Sequence, residues 1–322
     1  MAVTEQLIEL AANGVVYSSI IVLGSIGLSL IYSIAGFANF AHGDTMTVGA
    51  YATLVVFGVL SGVSVSVFGV DVLGISLLGL PLGFFVALLL GILVTAVVTV
   101  ITERIVYKPM DIGPIGLLIA SIGVAFVYRA LIQIWFSADS RRYDIDRLRP
   151  IDGLVQYNVR VTEHDIAMVL SAIALVVGLH VLLQHTDLGR KMRATADNPG
   201  LARASGIRVR RIELWTWVIG AGLAGAGGAF LGLFNQLIPR MGFNLLLVIF
   251  AAVILGGIGS VYGAMLGGFL IGTVVELTPI LTTVGIPIGS QYGEALAFII
   301  MVAVLLVRPR GIAGEAVGGG GG

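Results

Sequence analysis

"RKMRATADNPGLARASGIRVRR", residues 190–211, holds seven of the chain's 18 Lys and Arg residues and a single acid, Asp197. The chain around it is 57% hydrophobic, with only 11% charged residues and a mean hydropathy of +1.04. A soluble globular domain carries roughly 25% charged residues, so composition places the chain among membrane proteins. In such a chain a concentrated run of positive charge in a short loop marks the cytoplasmic side. It therefore fixes how every other apolar segment is threaded.

Two smaller basic stretches, "ERIVYKP" (103–109) and "RPRG" (308–311), belong on the same side by the same rule. A spanning helix needs roughly 20 apolar residues. Candidates are 14–34, 76–101, 113–135, 166–184, 213–234 and 292–307. Two regions are less regular: 37–60 is interrupted by "NFAHGD" and 245–280 by "GGIGS". With the three basic stretches inside, the N-terminus is outside and 245–280 must start and finish outside. Leu245–Leu255, roughly 17 Å as a helix, is short for a crossing. It is either a tilted span or a re-entrant half-helix turning at Gly256–Ser260. The expected fold is an all-α polytopic integral membrane protein with about eight transmembrane segments, some broken or re-entrant. Residues 1–13 read as an N-terminal interfacial segment, 14–314 as one transmembrane domain and 315–322 as a flexible Gly-rich tail.

One loop opposes this threading. Residues 137–165 fall outside yet hold five arginines, with six acids beside them. The rule counts Lys and Arg rather than net charge. The threading stands because its reverse would put 190–211 outside. "TEHD" (162–165) predicts a helix start, with Thr162 as cap and Asp165 three residues on.

The sequence excludes several chemistries. With no cysteine there is no disulfide, thiol catalysis or cysteine-ligated metal. The four histidines, His42, His164, His180 and His185, show no metal-ligand spacing. Net charge is zero, which points to no nucleic-acid partner. There is no G-x-x-x-x-G-K-[ST] loop, and neither lysine, Lys108 or Lys191, follows a glycine-rich loop. No nucleophile–base set appears, so an enzyme is not expected, nor a cofactor bound by this chain.

Inside the basic stretch, "DNPGLARASG" specifies both ends of a short helix. Asp197 or Asn198 can cap it, and Pro199 suits its first position. Leu201, Ala202, Ala204 and Ser205 continue it, and Gly206 suits the left-handed position at its end. From charge alone the stretch is a loop that merely fixes orientation. A loop with that role has no need of a helix specified at both ends, and two turns alone in water are marginal. The helix therefore reads as one that docks.

"GRKMRATADNPGLARASGIRVRRIEL" resembles the cytoplasmic coupling loop of ABC importer permeases, more narrowly the LivH-type permeases of branched-chain amino acid importers. "IYSIAGFANFAHGDTMTVGAY" (31–51), "ERIVYKPM" (103–110), "IGAGLAGAGGAFLG" (219–232), "AAVILGGIGSVYGAMLGG" (251–268) and "LLVRPRGIAG" (305–314) match in family order. The general importer pattern has Glu-Ala-Ala before the loop glycine; here Arg193-Ala194-Thr195 stands at its start. The resemblance implies a permease subunit in a prokaryotic cytoplasmic membrane. It implies a second homologous permease, two ABC ATPase subunits that use the ATP, and an extracytoplasmic solute-binding protein as partners. It implies that the 185–212 loop couples to the ATPases through Arg193, Ala194, Asp197, Asn198, Pro199, Leu201, Ala202, Arg203, Ser205 and Gly206. Related permeases carry urea or short amides, and these motifs do not separate the substrates. An ion-coupled secondary carrier is the alternative from another class. It would need carboxylates at midplane, whereas the acids here lie mostly at span ends.

Within the membrane, Asn39, His42 and Asp44 mark either a pathway or gate or a loosened helix near the cytoplasmic face with its side chains in water. Arg129 either pairs with an acid or snorkels. Asn235, Gln236 and Asn244 fall in a loop expected outside. Gly228 with Gly232, and Gly259, Gly263 and Gly267, are spaced for close helix packing. Gly256, Gly257 and Gly259 also permit a helix break whose free carbonyls and amides would line a cavity.

Overall fold

The computed structural model describes residues 3–62, 66–67, 70–110, 112–145, 149–155 and 159–313. The proposed tail, 315–322, lies outside them. The architecture is all-α. The helices are α1 (Val3–Ala35), α2 (His42–Ser61), α3 (Leu82–Thr102), α4 (Pro114–Phe136), α5 (Asp152–Val155), α6 (Glu163–His185), α7 (Asp187–Asp197), α8 (Pro199–Ala204), α9 (Val209–Phe234), α10 (Met241–Gly256), α11 (Val261–Leu277), α12 (Ile280–Thr283) and α13 (Gly293–Val307). Eight helical stretches among the described residues are long and apolar enough to cross a membrane, and α10 is a shorter apolar helix.

The centre of the bundle is made by small residues. A Cβ on Gly228 of α9 would stand 1.8 Å from the Met46 carbonyl oxygen of α2, and one on Gly267 of α11 2.0 Å from the Ala252 oxygen of α10. Only a bare backbone allows such approach, and it replaces the hydrophobic drive that lipid cannot supply. Accordingly, most of α1 and α9 is buried, while α4, α6 and α13 are peripheral. Gly232 packs on Leu237 and Tyr143, and Gly263 on Gly256, as their spacing predicts. Gly259 does not join the stripe: nothing lies closer to it than Ser33 at 3.9 Å, and its φ of +85° makes it a turn residue.

The irregular regions resolve differently from expectation. Residues 3–13 are the opening turns of α1, not a separate segment. The expected span 76–101 begins six residues later, because Ser76–Leu77 (β3) pairs with Leu80–Pro81 (β4) in a hairpin. Its turn is Leu78-Gly79, both at positive φ. A similar pair, Ser66–Val67 (β1) with Val70–Asp71 (β2), precedes it. The 245–280 region is two helices: α10 starts at Met241, giving 16 residues or roughly 24 Å. It turns at Gly257–Ser260, where the Ser260 side chain caps α11 by accepting from Gly263 N–H at 3.0 Å.

The three basic stretches gather at one end. Tyr107 stacks on Trp217 near the start of α9, with centroids 5.5 Å apart. Tyr262 joins His180 and Gln184 at the end of α6 through 2.9 Å hydrogen bonds. Ile312 and Ala313 N–H groups donate to the Leu255 and Gly256 carbonyls at 2.9 Å each. At the opposite end, Arg141 pairs with Leu237, His164 Nε2 lies 3.1 Å from the Gly79 carbonyl, and Arg160 is 3.9 Å from Glu9. Arg141, Arg160 and His164 of the 137–165 loop are thus at the far end from residues 187–211.

Candidate functional site

Three places carry polar chemistry: the basic-end loop, a break between α1 and α2, and a cavity at the far end.

The loop begins where α6 ends. The Thr186 side chain accepts from Gly189 N–H at 3.1 Å and opens α7. A Cβ on Gly189 would meet the Leu182 and Leu183 carbonyls at 2.3 Å, so α7 folds back tightly on α6. Arg193 donates to the Leu183 carbonyl at 2.8 Å, satisfying one of the last-turn acceptors of α6. Asn198, rather than Asp197, caps α8, its side chain accepting from Leu201 N–H at 2.9 Å. At the other end Gly206 has φ +81°; Ile207 N–H donates to Ala202 O and Gly206 N–H to Arg203 O, both at 3.0 Å. These two bonds are the Schellman pattern. Asp197, Pro199, Leu201, Arg203, Ser205 and Gly206 are exposed, and Arg193 and Ala194 half-buried. Ala202 differs: it is 3% exposed and faces its own chain, so it is not available to a partner's groove. The helix α7 was not foreseen. Its sequence signal was Thr186-Asp187 at the start, with buried Gly189, Met192 and Thr195 along one face.

The break between α1 and α2 is buried rather than wet. Gly36, at φ +74°, ends α1, and the chain turns back inside the bundle. Irregular backbone at this depth must be satisfied by protein. Phe40 N–H donates to Ser121 Oγ at 2.9 Å, and Ala41 N–H to Asn39 Oδ1 at 3.0 Å. Tyr107 O–H also donates to Asn39 Oδ1, at 3.3 Å. His42 Nε2 lies 2.8 Å from the Gly24 carbonyl, so Nε2 carries the proton. Gly24 is 11 residues from the end of α1, which puts His42 roughly 16 Å in from that end. Asn39, His42 and Asp44 are each at most 2% exposed. The reading that set these side chains in water near the cytoplasmic face is therefore corrected.

Of the two alternatives for Arg129, it is pairing that the structure shows, and the acid is Asp44. Arg129 Nη2 donates to Asp44 Oδ2 at 3.0 Å and Nε to Oδ1 at 3.2 Å. Phe243 stacks on the guanidinium at 4.4 Å from its centroid. Phe243 belongs to the first turn of α10, whose Gly242 sits against Gly43; a Cβ on Gly43 would come within 2.4 Å of the Gly242 oxygen. The break at Gly256, Gly257 and Gly259 is real, but the Leu255 and Gly256 carbonyls accept from Ile312 and Ala313. The chain's own C-terminal segment takes the place of the proposed cavity there.

The cavity at the far end measures about 700 Å³. It is lined by apolar Leu231, Phe234, Ile238, Met241 and Leu245 and by polar Asn235, Gln236, Asn244, Arg142, Glu294 and His164. Tyr143 borders it and donates to the Ala50 carbonyl at 3.1 Å. Burial pushes the Tyr143 phenol well above its ordinary pKa, so it remains a neutral donor. Sequence reading singled out the three amides. Arg142, Glu294 and His164 carried no local signal, since they come together only through folding.

A helical bundle with a cavity at one end and an exposed, doubly capped loop at the other has the build of a multi-pass membrane transport protein. The chain belongs to the family described as "Branched-chain amino acid transport system / permease component", which matches residues 10–305. It is 31% identical to the high-affinity branched-chain amino acid transport system permease protein BraD of Pseudomonas aeruginosa, over 94% of both chains. It is 28% identical to the probable branched-chain amino acid transport permease protein LivH of Methanocaldococcus jannaschii, over 94% of this chain and 91% of the relative. Among solved structures, PsaBC from Streptococcus pneumoniae in complex with Fab aligns over 92% of this chain and 91% of the other, with a TM-score of 0.49 and 12% identity.

Proposed function

We propose that this chain is the permease subunit of an ABC importer for leucine, isoleucine and valine in a prokaryotic cytoplasmic membrane. The observation that carries the reading is the full-length likeness to BraD, itself named for branched-chain amino acid transport. The subunit pairs with a second homologous permease, receives substrate from an extracytoplasmic solute-binding protein and is driven by two separate ATPase subunits. The sequence supports separate ATPases because it has no phosphate-binding loop of its own. Residues 185–212 are the coupling element: α8 is short, capped at both ends and braced on α7, so a push on its exposed face travels as a rigid displacement into α6 and α9.

The test is reconstitution with candidate ATPases, a second permease and a binding protein from the same organism. Expected is ATP-dependent uptake of radiolabelled leucine, and none when the ATPases are left out. Uptake of urea or a short amide in place of leucine overturns the substrate. Gradient-driven uptake by this chain alone overturns the class.

A further inference from the structure

The cavity at the far end has a composition the transport reading does not require. Its walls hold one cationic side chain, Arg142, and one carboxylate, Glu294, both exposed. Neither is in an ion pair or hydrogen bond with another described residue. The same cavity is lined by three neutral amides, Asn235, Gln236 and Asn244, and by apolar side chains. A volume of about 700 Å³ falls in the range of small-molecule sites, which combine an apolar lining with a few polar groups that orient the ligand. Urea or a short amide carries no net charge, so it would offer Arg142 and Glu294 hydrogen bonds but no opposite charge. A zwitterionic amino acid presents a carboxylate to the first and an ammonium to the second, and an aliphatic side chain to the apolar part of the lining. Exposed charges bind weakly, which suits a station that must also release.

We infer that this cavity is a low-affinity reception site for a zwitterionic aliphatic amino acid, with Arg142 receiving the carboxylate and Glu294 the ammonium. The inference rests on the proposed function and names what this chain itself reads. It reads the two charges at fixed sign, and the binding protein reads the side chain. The site lies next to the first turn of α10, since Asn244 and Leu245 line it while Phe243 of the same turn covers Arg129.

The chain has no cysteine, so an Asn244→Cys variant of the assembled complex gives one thiol on this subunit, inside the cavity. Its labelling by a small maleimide is followed on this chain's band, without binding protein. Millimolar L-leucine is expected to slow labelling several-fold. 4-Methylpentanoate, which lacks the ammonium, and 3-methylbutylamine, which lacks the carboxylate, should protect far less, and urea not at all. Arg142→Gln and Glu294→Gln, each combined with the reporter, should abolish protection by leucine. Gln236→Cys is a second reporter if the first fails to assemble. Leucine uptake is measured on the same complex with its binding protein. Uptake without protection, or equal protection by urea or either half-molecule, overturns the inference and leaves the transport reading standing. So does loss of binding-protein docking in Arg142→Gln and Glu294→Gln with leucine protection retained, which makes the charges a protein contact. Absence of any leucine uptake removes the transport reading and this inference with it.

Discussion

Asp44 sits in the first turn of α2, where the unpaired N–H groups of a helix start favour a carboxylate. That alone does not offset burying a charge; the two-pronged contact from Arg129 supplies the counter-charge. Phe243 and Phe126, at 4.4 and 5.4 Å, cover the guanidinium and keep lipid from it. Removing one partner of a buried pair is worse than removing both, because a bare charge remains. Arg129→Met should therefore cost about 3–5 kcal/mol, seen as a lower thermal midpoint of the detergent-solubilised complex. Asp44→Asn added to Arg129→Met should recover most of that loss. An Arg129→Met variant as stable as the parent would mean that the pair is solvated and the depth assigned to α2 is wrong.

At the scale of elements, α8 shows how a six-residue helix is held in place by its ends. Nothing lies within 4 Å of a Cβ built on Gly206, so a substitution there meets only backbone strain, not a clash. Gly206→Val should cost on the order of 1–2 kcal/mol locally. That displaces α8 without unfolding the bundle: the complex should assemble, while uptake and binding-protein-stimulated ATP hydrolysis fall together. The two faces of α8 separate docking from support. Leu201 is 65% exposed and Ala202 3%. Leu201→Glu should weaken co-purification with the ATPases while the permease keeps its thermal midpoint; Ala202→Glu, by burying a charge against α7 and α9, should lower that midpoint. Normal transport by both Gly206→Val and Leu201→Glu would reduce the loop to an orientation signal.

Over the whole molecule, what the sequence disclosed is what depends on neighbours along the chain. The caps of α6 and α8, the glycine stripe on α11 and the count of membrane-length helices all follow from local spacing. The depth of His42 was not legible, because it depends on Gly24 of α1 lying beside it. Nor was the Asp44–Arg129 pair, whose partners lie 85 residues apart, nor the joining of Arg142 and Glu294 in one cavity. The threading is the intermediate case. Three basic stretches fixed it, one arginine-rich loop opposed it, and the bundle separates Arg141 and Arg160 of that loop from the basic end. Which end faces the cytoplasm follows from the positive-inside rule, and here it is unequal in strength. The three basic stretches hold seven, two and two Lys and Arg residues, eleven in all, against five arginines in residues 137–165. In this cysteine-free chain Ser140 and Ser205 are both exposed, one near each end. Ser140→Cys should react with a membrane-impermeant maleimide added to intact cells, once the outer barrier is opened. Ser205→Cys should react only after the cells are lysed. The reverse pattern would place α8 outside, away from any ATPase, and the coupling role of 185–212 would have to be abandoned with the threading.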